Sequence, residues 1–355
     1  MSLSIGIVGL PNVGKSTLFK IITRNQVECA NYPFCTVDPN IGVIATRDKR
    51  VDMLAKFSCS LKKIQAVVEF VDIAGLIKGA SLGEGLGNKF LANIRETDAI
   101  LYVLRSFENK KIINTQNEVS PFSDKEILDT ELALKDIETI EKRISKIDKK
   151  SKFGDDKIKF ELEILNKAKD CLKDGTILID NRWEPREKRI LDSYQLLTIK
   201  PRLYLLNGNH EKISSDILKK FKEKKMPFFI IDILSELESI DFTMQEKKEL
   251  GLPLKSKVDE LINMSYSLLN LITFFTTGED ETRAWMLKRG EKAPQAGGVI
   301  HSDFEKNFIK ADVINWQKLI DSGSFSAARE KGLIRIEGKD YVVCDGDVVE
   351  IKSSA

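Results

Sequence analysis

The sequence predicts an α/β protein with a doubly wound parallel sheet, interrupted by a pair of long helices and followed by a smaller α+β domain. Three observations support this prediction: apolar runs that alternate with helix-like segments, a charged stretch with a narrow apolar stripe, and short β-like runs near the end. With 355 residues, 42% of them hydrophobic, the chain can bury a sizeable core and is expected to form two or three domains.

The doubly wound domain is indicated by five apolar runs that are bounded by turn residues. Continuous apolar stretches of this kind are typical of strands that are buried on both faces of a parallel sheet. The segments between the runs have helical periodicity, as crossover connections require. The five runs are SIGIVGL, VVEFVDIAG, AILYVLRSF, RLYLLNG and PFFIIDI.

A helical insertion is predicted between the third and fourth runs. Residues 131–150 form a charged segment with a narrow apolar stripe, and a similar segment follows the breaker-rich KKSKFGDDK. Two helices of roughly 20 residues joined by a short turn would form an antiparallel coiled-coil arm about 30 Å long. A helical insertion packed on the body is the alternative. The stripe residues are Leu134, Ile137, Ile140, Ile144 and Ile147, then Ile158, Leu162, Leu165 and Leu172.

From about Leu271 the chain returns to short β-like runs, which predict a small α+β domain with a half-open sheet. The segment RIEGKDYVV predicts a hairpin with Gly338 in the turn. The segment DVINWQKLIDSGSFSAAREKG predicts a helix between the strands.

Composition excludes several classes of protein. The 56 basic and 54 acidic residues leave a formal net charge of +2, so an RNA-binding function has to rest on local segments. The five cysteines are scattered and form no Cys-x-x-Cys pair, which argues against a disulfide framework or a zinc site and favours a reducing cytoplasm. The N-terminal segment resembles no signal peptide, and no run of about 20 apolar residues predicts a membrane span.

The segment 9–16, GLPNVGKS, fits the phosphate-binding pattern G-x-x-x-x-G-K-[ST], directly after a predicted strand and before a helix. Its glycines allow backbone N–H groups to surround a β-phosphate, and the helix N-terminus adds partial positive charge. Lys15 is expected to contact the β- and γ-phosphates, Ser16 to bind Mg²⁺ and Thr17 to donate to the α-phosphate. A glycine-rich turn without a ligand is the alternative. The predicted nucleotide contacts in this segment are Asn12, Val13, Gly14, Lys15, Ser16 and Thr17.

Two further segments complete the predicted catalytic site. Asp72 ends the run VVEFVD, where its carboxylate can hold a Mg²⁺-bound water, and Gly75 can approach the γ-phosphate through its N–H. Thr36 lies in the loop NYPFCTVDPN, where its hydroxyl can close on Mg²⁺. We therefore predict Lys15, Asp72 and Gly75 as catalytic residues and Ser16 and Thr36 as Mg²⁺ ligands. This set is typical of a phosphoryl hydrolase whose loops order on the γ-phosphate.

Leu76 follows Gly75, at the position where many GTPases have a glutamine that orients the attacking water. A leucine side chain can neither donate nor accept a hydrogen bond. Hydrolysis must therefore use another group or be slow.

The fourth apolar run ends on Asn207, where many nucleotide-binding proteins place an Asn-Lys-x-Asp motif that reads guanine. Here the run continues Gly208, Asn209, His210, Glu211, so the lysine and the aspartate of a guanine site are both missing. Adenine offers an exocyclic amine at position 6 and no N1–H donor, so it does not require that aspartate. A simple turn at the end of a strand is the alternative.

These motifs resemble the YchF, or Obg-like, ATPases of the translation-factor class of P-loop proteins. The resemblance rests on GLPNVGKSTLF, ANYPFCTVDPN, VEFVDIAGLIKGASLGEGLGNKFLANIRETDAI, APQAGGVIHSDFEKNFIKADVI and EGKDYVVCDGDVVEI, which extend over nearly the whole chain. It implies a P-loop NTPase domain over residues 1–121 and 196–270, a helical coiled-coil insertion over 122–195 and a TGS domain of β-grasp type over 271–355. It also implies Mg²⁺-dependent binding of ATP in preference to GTP.

The resemblance places Asn207 and Gly208 at the base, in an Asn-x-x-Glu motif. His210 stands at the position of the glutamate and Glu211 follows one residue late, so either the loop shifts by one residue or the glutamate contact is absent. A histidine that the family has in the loop after LRSFEN aligns with Asn114, which can position a water but cannot act as a base near neutral pH. The family's Ser-Ala segment behind the base aligns with Leu234 and Ser235.

The resemblance further implies association with the ribosome. We predict that the protein is a monomer and that the ribosome and its RNA are its partners. The predicted function is a slow ATPase whose nucleotide state sets its binding to ribosomes, in translation or its regulation under stress. The lysine-rich segment KRISKIDKKSKFGDDKIK would lie at the tip of the arm, where it could contact ribosomal RNA. A GTP-driven assembly switch and a nucleotide-gated ribosome adaptor with little hydrolysis are the alternatives.

Overall fold

The computed structural model describes residues 3–24, 38, 40–73, 93–108, 119–148, 156–250, 252 and 256–354. Four residues singled out from the sequence, Thr36, Gly75, Leu76 and Asn114, lie outside these ranges. Within the described ranges the chain forms two six-stranded sheets with helices around them.

All five apolar runs form strands of the first sheet, as predicted. Its order is β2-β4-β1-β5-β6-β7, with every neighbouring pair parallel except β2 and β4. The antiparallel edge strand β2 was not among the predicted runs. The strands are β1 (Leu3–Val8), β2 (Ile41–Ala45), β4 (Val67–Asp72), β5 (Ala99–Arg105), β6 (Arg202–Asn207) and β7 (Phe228–Ile231).

Amphipathic helices cover this sheet because their apolar stripes require a surface to pack on. The side chains of Leu18, Ile21 and Ile22 on α1, for example, are fully buried in the main core. The helices outside the insertion are α1 (Lys15–Arg24), α2 (Lys49–Phe57), α6 (Ser215–Glu223), α7 (Ile233–Ser239), α8 (Met244–Glu249) and α9 (Lys257–Leu268). The helices of the insertion are α3 (Pro121–Asp148), α4 (Asp156–Lys173) and α5 (Pro185–Ser193).

Helix α3 is longer than the predicted stripe, and its two halves have different surroundings. In the first half, Leu128 and Leu132 are fully buried in the main core, against β5. In the second half, Ile140 and Ile147 pack with Leu165 of α4 in a separate apolar cluster. The side chain of Leu134 is 43% exposed and lies outside that seam. The insertion therefore packs on the body at its base and forms a two-helix arm beyond it.

The second sheet is mixed, with the order β11-β10-β12-β8-β9-β3. Strands β8 and β12 are parallel neighbours at its centre, and β8–β9 and β10–β12 are antiparallel pairs. The strands are β3 (Lys62–Ile64), β8 (Leu271–Thr277), β9 (Glu281–Lys288), β10 (Phe308–Asn315), β11 (Arg335–Glu337) and β12 (Asp347–Ser353). The helices beside it are α10 (Ala293–Ile300), α11 (Ser302–Lys306), α12 (Trp316–Ser322) and α13 (Phe325–Glu330).

Two local predictions in this region are wrong. The segment RIEGKDYVV forms no hairpin, because β11 pairs with β10 and Val342 makes an isolated bridge to Lys292. The residues DVIN belong to β10, whose alternating buried positions fit the pleat of a sheet. The helical remainder is divided at Gly323, which ends α12 in the left-handed conformation with φ 83°.

The two sheets share one hydrophobic core. Strand β3 comes from the N-terminal half of the chain, yet it pairs in parallel with β9 at the edge of the second sheet. The main core contains residues of both sheets, such as Phe70 and Phe275. The domain boundaries at residues 121/122, 195/196 and 270/271 remain a prediction. In the part of the chain that the structure describes, no helix combines the length and the apolar character that a membrane span requires.

Candidate nucleotide site

A large cleft lies beyond the carboxyl ends of the parallel strands. Arg105, Asn207 and Ile231 are in register on β5, β6 and β7, so the residues that follow them meet at one edge of the sheet. Ligands of open α/β sheets bind at this edge. The cleft has a volume of about 1200 Å³. It is lined by Asn12, Gly14, Lys15, Ser16, Thr17, Ser106, Phe107, Glu108, Val119, Pro121, Asn207, Asn209, Lys212, Ile213, Ser214, Ile217, Asp232, Ile233 and Leu234.

The loop between β1 and α1 has the conformation that its sequence predicts. Asn12 and Gly14 have φ values of 63° and 104°, in the range that favours glycine and tolerates asparagine. A Cβ on Gly14 would lie 2.6 Å from Nδ2 of Asn207, so the position has no room for a side chain. Val13 is buried beneath the loop, and α1 begins at Lys15. The N-terminus of α1 therefore faces the cleft.

Lys15 lies at the floor of the cleft, and its side chain is 7% exposed. Its Nζ donates to the carbonyl oxygens of Gly9 and Leu10, at 2.9 and 2.7 Å. Burial lowers the pKa of Lys15 to about 8, and the nearby Asp72 partly opposes this shift. Burial likewise raises the pKa of Asp72, and the charge of Lys15 reduces the rise. The ammonium group thus has two neutral partners and one carboxylate nearby, a poorer environment than an anion would provide.

Asn207 connects the phosphate loop to the element behind it. Its Nδ2 donates to the carbonyl oxygen of Val13 at 2.9 Å, and its Oδ1 accepts from the N–H of Ile233 at 3.1 Å. Gly208 is as tightly placed, because a Cβ there would lie 2.6 Å from the carbonyl oxygen of Ser106. Both predicted base-site residues therefore shape the cleft through their own contacts.

The other residues that the resemblance aligns with a base-binding motif are arranged differently from that motif. The side chains of His210 and Glu211 are exposed and do not line the cleft, and the N–H of Glu211 donates to the side chain of Asn209. Leu234 lines the cleft but Ser235 does not. Instead Asp232 lines it, and this side chain caps α7 by accepting from the N–H of Ser235 at 3.2 Å.

The residues present fit a magnesium site in which phosphate oxygens of the substrate complete the coordination shell. Ser16 is exposed in the cleft, one residue after Lys15, and can offer its hydroxyl to a metal. Among the described residues, no group of three or more His, Cys, Asp and Glu side chains could hold a metal by itself. Mg²⁺ commonly takes one or two protein ligands and fills its shell with water and substrate oxygens, so a hydroxyl on this loop is compatible with it.

Phe107, Lys212 and Asp232 are among the cleft residues that were not found from the sequence. Phe107 offers an aromatic face and is itself covered by the guanidinium of Arg105, 4.6 Å from the ring centroid. Phe107 and Asp232 follow the ends of β5 and β7 within two residues, so position after a parallel strand was the available signal. Lys212 depends on the short 3₁₀ turn His210–Lys212, which the sequence did not predict.

Comparison with known proteins gives matches at both ends of the chain. The family model described as "50S ribosome-binding GTPase" matches residues 4–150. The model YchF-GTPase_C, described as "Protein of unknown function (DUF933)", matches residues 271–354.

Whole-length relatives carry the name Ribosome-binding ATPase YchF. The Bacillus subtilis (strain 168) protein is 42% identical, and the alignment covers 99% of both chains. The Mycoplasma genitalium protein is 45% identical, again over 99% of both chains.

A solved structure, that of the Schizosaccharomyces pombe YchF GTPase, is 37% identical and superposes with a TM-score of 0.84. The match covers 99% of this chain and 98% of that one. Identity of this level over the full length, together with the shared P-loop fold, means that the chain belongs to the YchF family.

Proposed function

We propose that the protein is a Mg²⁺-dependent ATPase that binds the ribosome and changes this binding with the nucleotide that it holds. The names of the full-length relatives support ATPase activity and ribosome binding, since each is called a ribosome-binding ATPase. The proposed role is a slow switch in translation or in its regulation under stress. We further propose that the protein acts as a monomer in the cytoplasm.

The buried ammonium group of Lys15 is the observation that carries nucleotide binding. It holds two carbonyl oxygens of its own loop at the floor of a cleft large enough for a nucleotide. A triphosphate would replace these neutral partners with anionic oxygens, and the backbone N–H groups of Gly14 and its neighbours would add further donors. We propose the segment Asn12–Thr17 as the phosphate contacts.

The catalytic roles are assigned to residues around that loop. Ser16 and Thr36 would hold Mg²⁺, which neutralises charge on the phosphates when it is bound. Asp72 would accept a hydrogen bond from a water on the metal, and the N–H of Gly75 would donate to the γ-phosphate. Leu76 offers no polar group for the attacking water, so we propose that turnover is slow.

The preference for ATP rests on what the cleft offers to a base. The loop after β6 has no aspartate in the guanine-reading position, and its one carboxylate, on Glu211, does not line the cleft. Isothermal titration with ATP and with GTP tests this preference, and we expect the dissociation constant to be lower for ATP. Tighter binding of GTP would instead support a GTP-driven switch, the alternative that the match to a ribosome-binding GTPase family favours.

Ribosome dependence is tested separately from nucleotide choice. We expect wild-type protein to co-sediment with ribosomes to an extent that differs between ATP and ADP. Single-turnover hydrolysis with and without ribosomes then measures catalysis, and we expect slow product formation that ribosomes accelerate. No product in either condition would favour an adaptor that hardly hydrolyses.

A further inference from the structure

A second cavity lies at the base of the arm, away from the nucleotide cleft. Its volume is about 320 Å³, and it forms where the helical residues 93–96 meet the middle of α3. Five of its eight lining residues are basic: Arg95, Lys135, Lys142, Arg143 and Lys146. The other three are Glu138, Thr139 and Tyr194. We refer to this group of eight residues as the basic cavity.

The lining of the basic cavity contains more cations than carboxylates. Glu138 is shared between Lys135 and Lys142, so one negative charge serves two lysines. Arg143 pairs with Glu161 of α4, with 2.8 Å between Nη2 and Oε1. The lining thus holds five basic side chains and one carboxylate, an excess of positive charge that favours a bound anion.

Lys146 and Arg95 retain unused donors. Lys146 is exposed and forms no ion pair or hydrogen bond with any residue in the described ranges. Arg95 donates through Nη2 to the hydroxyl of Thr139, while its Nε is buried and has no hydrogen-bond partner in the part of the chain that the structure describes. A buried donor without a partner costs about 1–3 kcal/mol, so an acceptor supplied by a ligand would relieve this cost.

The placement of the lysines and arginine on α3 follows from helical geometry. Lys135, Lys142, Arg143 and Lys146 are separated by seven, one and three residues, so they share one face of the helix. The side chains of Lys135 and Arg143 are held by their carboxylate partners, which directs their charge into the cavity at reduced entropic cost. Lys142, Arg143 and Lys146 are also the first basic residues of the lysine-rich segment KRISKIDKKSKFGDDKIK, so the basic cavity includes part of the segment that the sequence predicted as an RNA contact.

We propose that the basic cavity binds a phosphate group, and that in the ribosome-bound protein this group is a backbone phosphate of RNA. The RNA source rests on the proposed function, whereas the phosphate chemistry rests on the cavity alone. Arginine suits phosphate because its planar donor fork can bind two oxygens, and lysines add point charges around it.

The test compares the double variant Lys142→Gln, Lys146→Gln with a charge-matched control, Lys222→Gln, Lys224→Gln, in the exposed end of α6 and its C-cap. Binding of a fluorescent 20-nucleotide single-stranded RNA is measured by anisotropy with ADP saturating the P-loop, between 50 and 200 mM KCl. We expect the cavity variant to bind about tenfold more weakly at low salt. We also expect its slope of log K against log salt to fall by about 1, a change that loss of a phosphate contact predicts.

Two competition experiments identify the ligand. Inorganic phosphate should displace RNA from the wild type more effectively than chloride of equal ionic strength, and this difference should vanish in the cavity variant. If phosphate binding is lost in the variant while RNA binding matches that of the control, the site takes free phosphate rather than RNA. If poly-glutamate of equal charge competes as well as RNA, the site recognises acidic protein and the phosphate assignment is overturned.

Equal RNA affinity and equal salt slope in both double variants, with an unchanged phosphate effect, would also overturn the proposal. Arg95→Lys provides a second probe because it retains the charge but loses the fork, and we expect about a threefold loss of RNA affinity. Titration with ATP and a thermal melt accompany each variant. A variant that keeps ATP binding but loses RNA binding supports the assignment of the basic cavity. Failure of the wild-type protein to bind ribosomes would instead contradict the proposed function.

Discussion

The side-chain amide of Asn207 donates to the carbonyl oxygen of Val13 across 2.9 Å, from the end of β6 to the phosphate loop. The carbonyl of the same amide accepts from the N–H of Ile233 at the start of α7. One buried side chain therefore joins three elements that border the cleft. Because both of its polar atoms are engaged, we expect Asn207 to act first as a positioning residue for the loop proposed to hold the phosphates.

Replacement of Asn207 by alanine is expected to weaken both stability and nucleotide binding. The change leaves the carbonyl of Val13 and the N–H of Ile233 without their partner, which costs about 1–3 kcal/mol when the groups stay buried. Urea denaturation measures the stability, and isothermal titration measures the affinity for ATP, which we expect to fall about tenfold. Asn209→Ala, at an exposed position of the same cleft, is the control. An unchanged affinity in Asn207→Ala would contradict the positioning role.

The arm is held to the body by a buried ion pair whose loss should be costly. Arg202 of β6 and Asp129 of α3 approach to 2.5 Å, with side chains only 2% and 11% exposed. The hydroxyl of Tyr102 also donates to Asp129 at 2.9 Å. Asp129→Ala leaves the guanidinium buried without its carboxylate, and we expect a loss of about 3–5 kcal/mol in the free energy of unfolding.

Lys219→Ala is the matched control for this pair, since Lys219 and Glu223 are both well exposed. We expect it to change the free energy of unfolding by less than about 0.5 kcal/mol. Chemical denaturation followed by circular dichroism gives both values. Similar losses in the two variants would mean that the buried pair does not fasten the arm.

The first sheet and the phosphate loop were predictable because their signals are local. An apolar run followed by GLPNVGKS determines a strand, a tight loop and a helix within 22 residues, and neighbouring runs supply the rest of the sheet. The strand β3 was not predictable in this way. Its three residues pair with β9, more than 200 positions away in the chain, and such pairing depends on tertiary contacts that no short window contains.

The side of the cleft that is proposed to hold the nucleotide base was harder to predict, for a related reason. Alignment by motif pointed to His210 and to Leu234 with Ser235, and of these three only Leu234 lines the cleft. Asn209, Lys212 and Asp232 line it as well. A 3₁₀ turn after β6 carries His210 outward, and the first turn of α7 carries Ser235 away. A shift of one residue in a loop changes which side chain faces a ligand, and spacing alone cannot detect it.

Nucleotide binding should take up protons near pH 8 because of Lys15. Burial lowers the pKa of Lys15 to about 8 from its usual 10.5, so the folded protein binds fewer protons than the unfolded chain between these values. This group therefore adds stability to the free protein as pH rises from 8 to 10.5. Phosphates favour the ammonium form and raise the pKa again, so we expect uptake of roughly half a proton per nucleotide at pH 8 and little at pH 6.5.

Titration of ATP in two buffers with different ionisation enthalpies measures this uptake. The apparent enthalpy should depend on the buffer at pH 8, and the dependence should persist in Lys212→Met, which removes an exposed lysine of the same cleft. Lys15→Met should lose nucleotide binding altogether. Equal enthalpies in both buffers at pH 8 would show that Lys15 is already charged in the free protein.

Asp232 is expected to favour adenine over guanine. Its carboxylate faces the cleft from the β7–α7 junction, and one oxygen caps α7 while the second makes no hydrogen bond to any described residue. At position 6 adenine carries an amine that can donate to this oxygen, whereas guanine carries a carbonyl that a carboxylate repels. The missing aspartate after β6 removes a contact to guanine, and Asp232 would add one to adenine.

Asp232→Asn and Asp232→Ser separate this role from helix capping, because both residues are good N-caps and neither has a negative charge. We expect each variant to keep its thermal stability within a few degrees while the ratio of ATP to GTP affinity falls about tenfold, the value of one charge-assisted hydrogen bond. Asparagine should permit more GTP binding than serine, since its amide can donate to the guanine carbonyl. If both variants keep the wild-type ratio, the base is selected by other groups, and the backbone at Gly208 becomes the next residue to test.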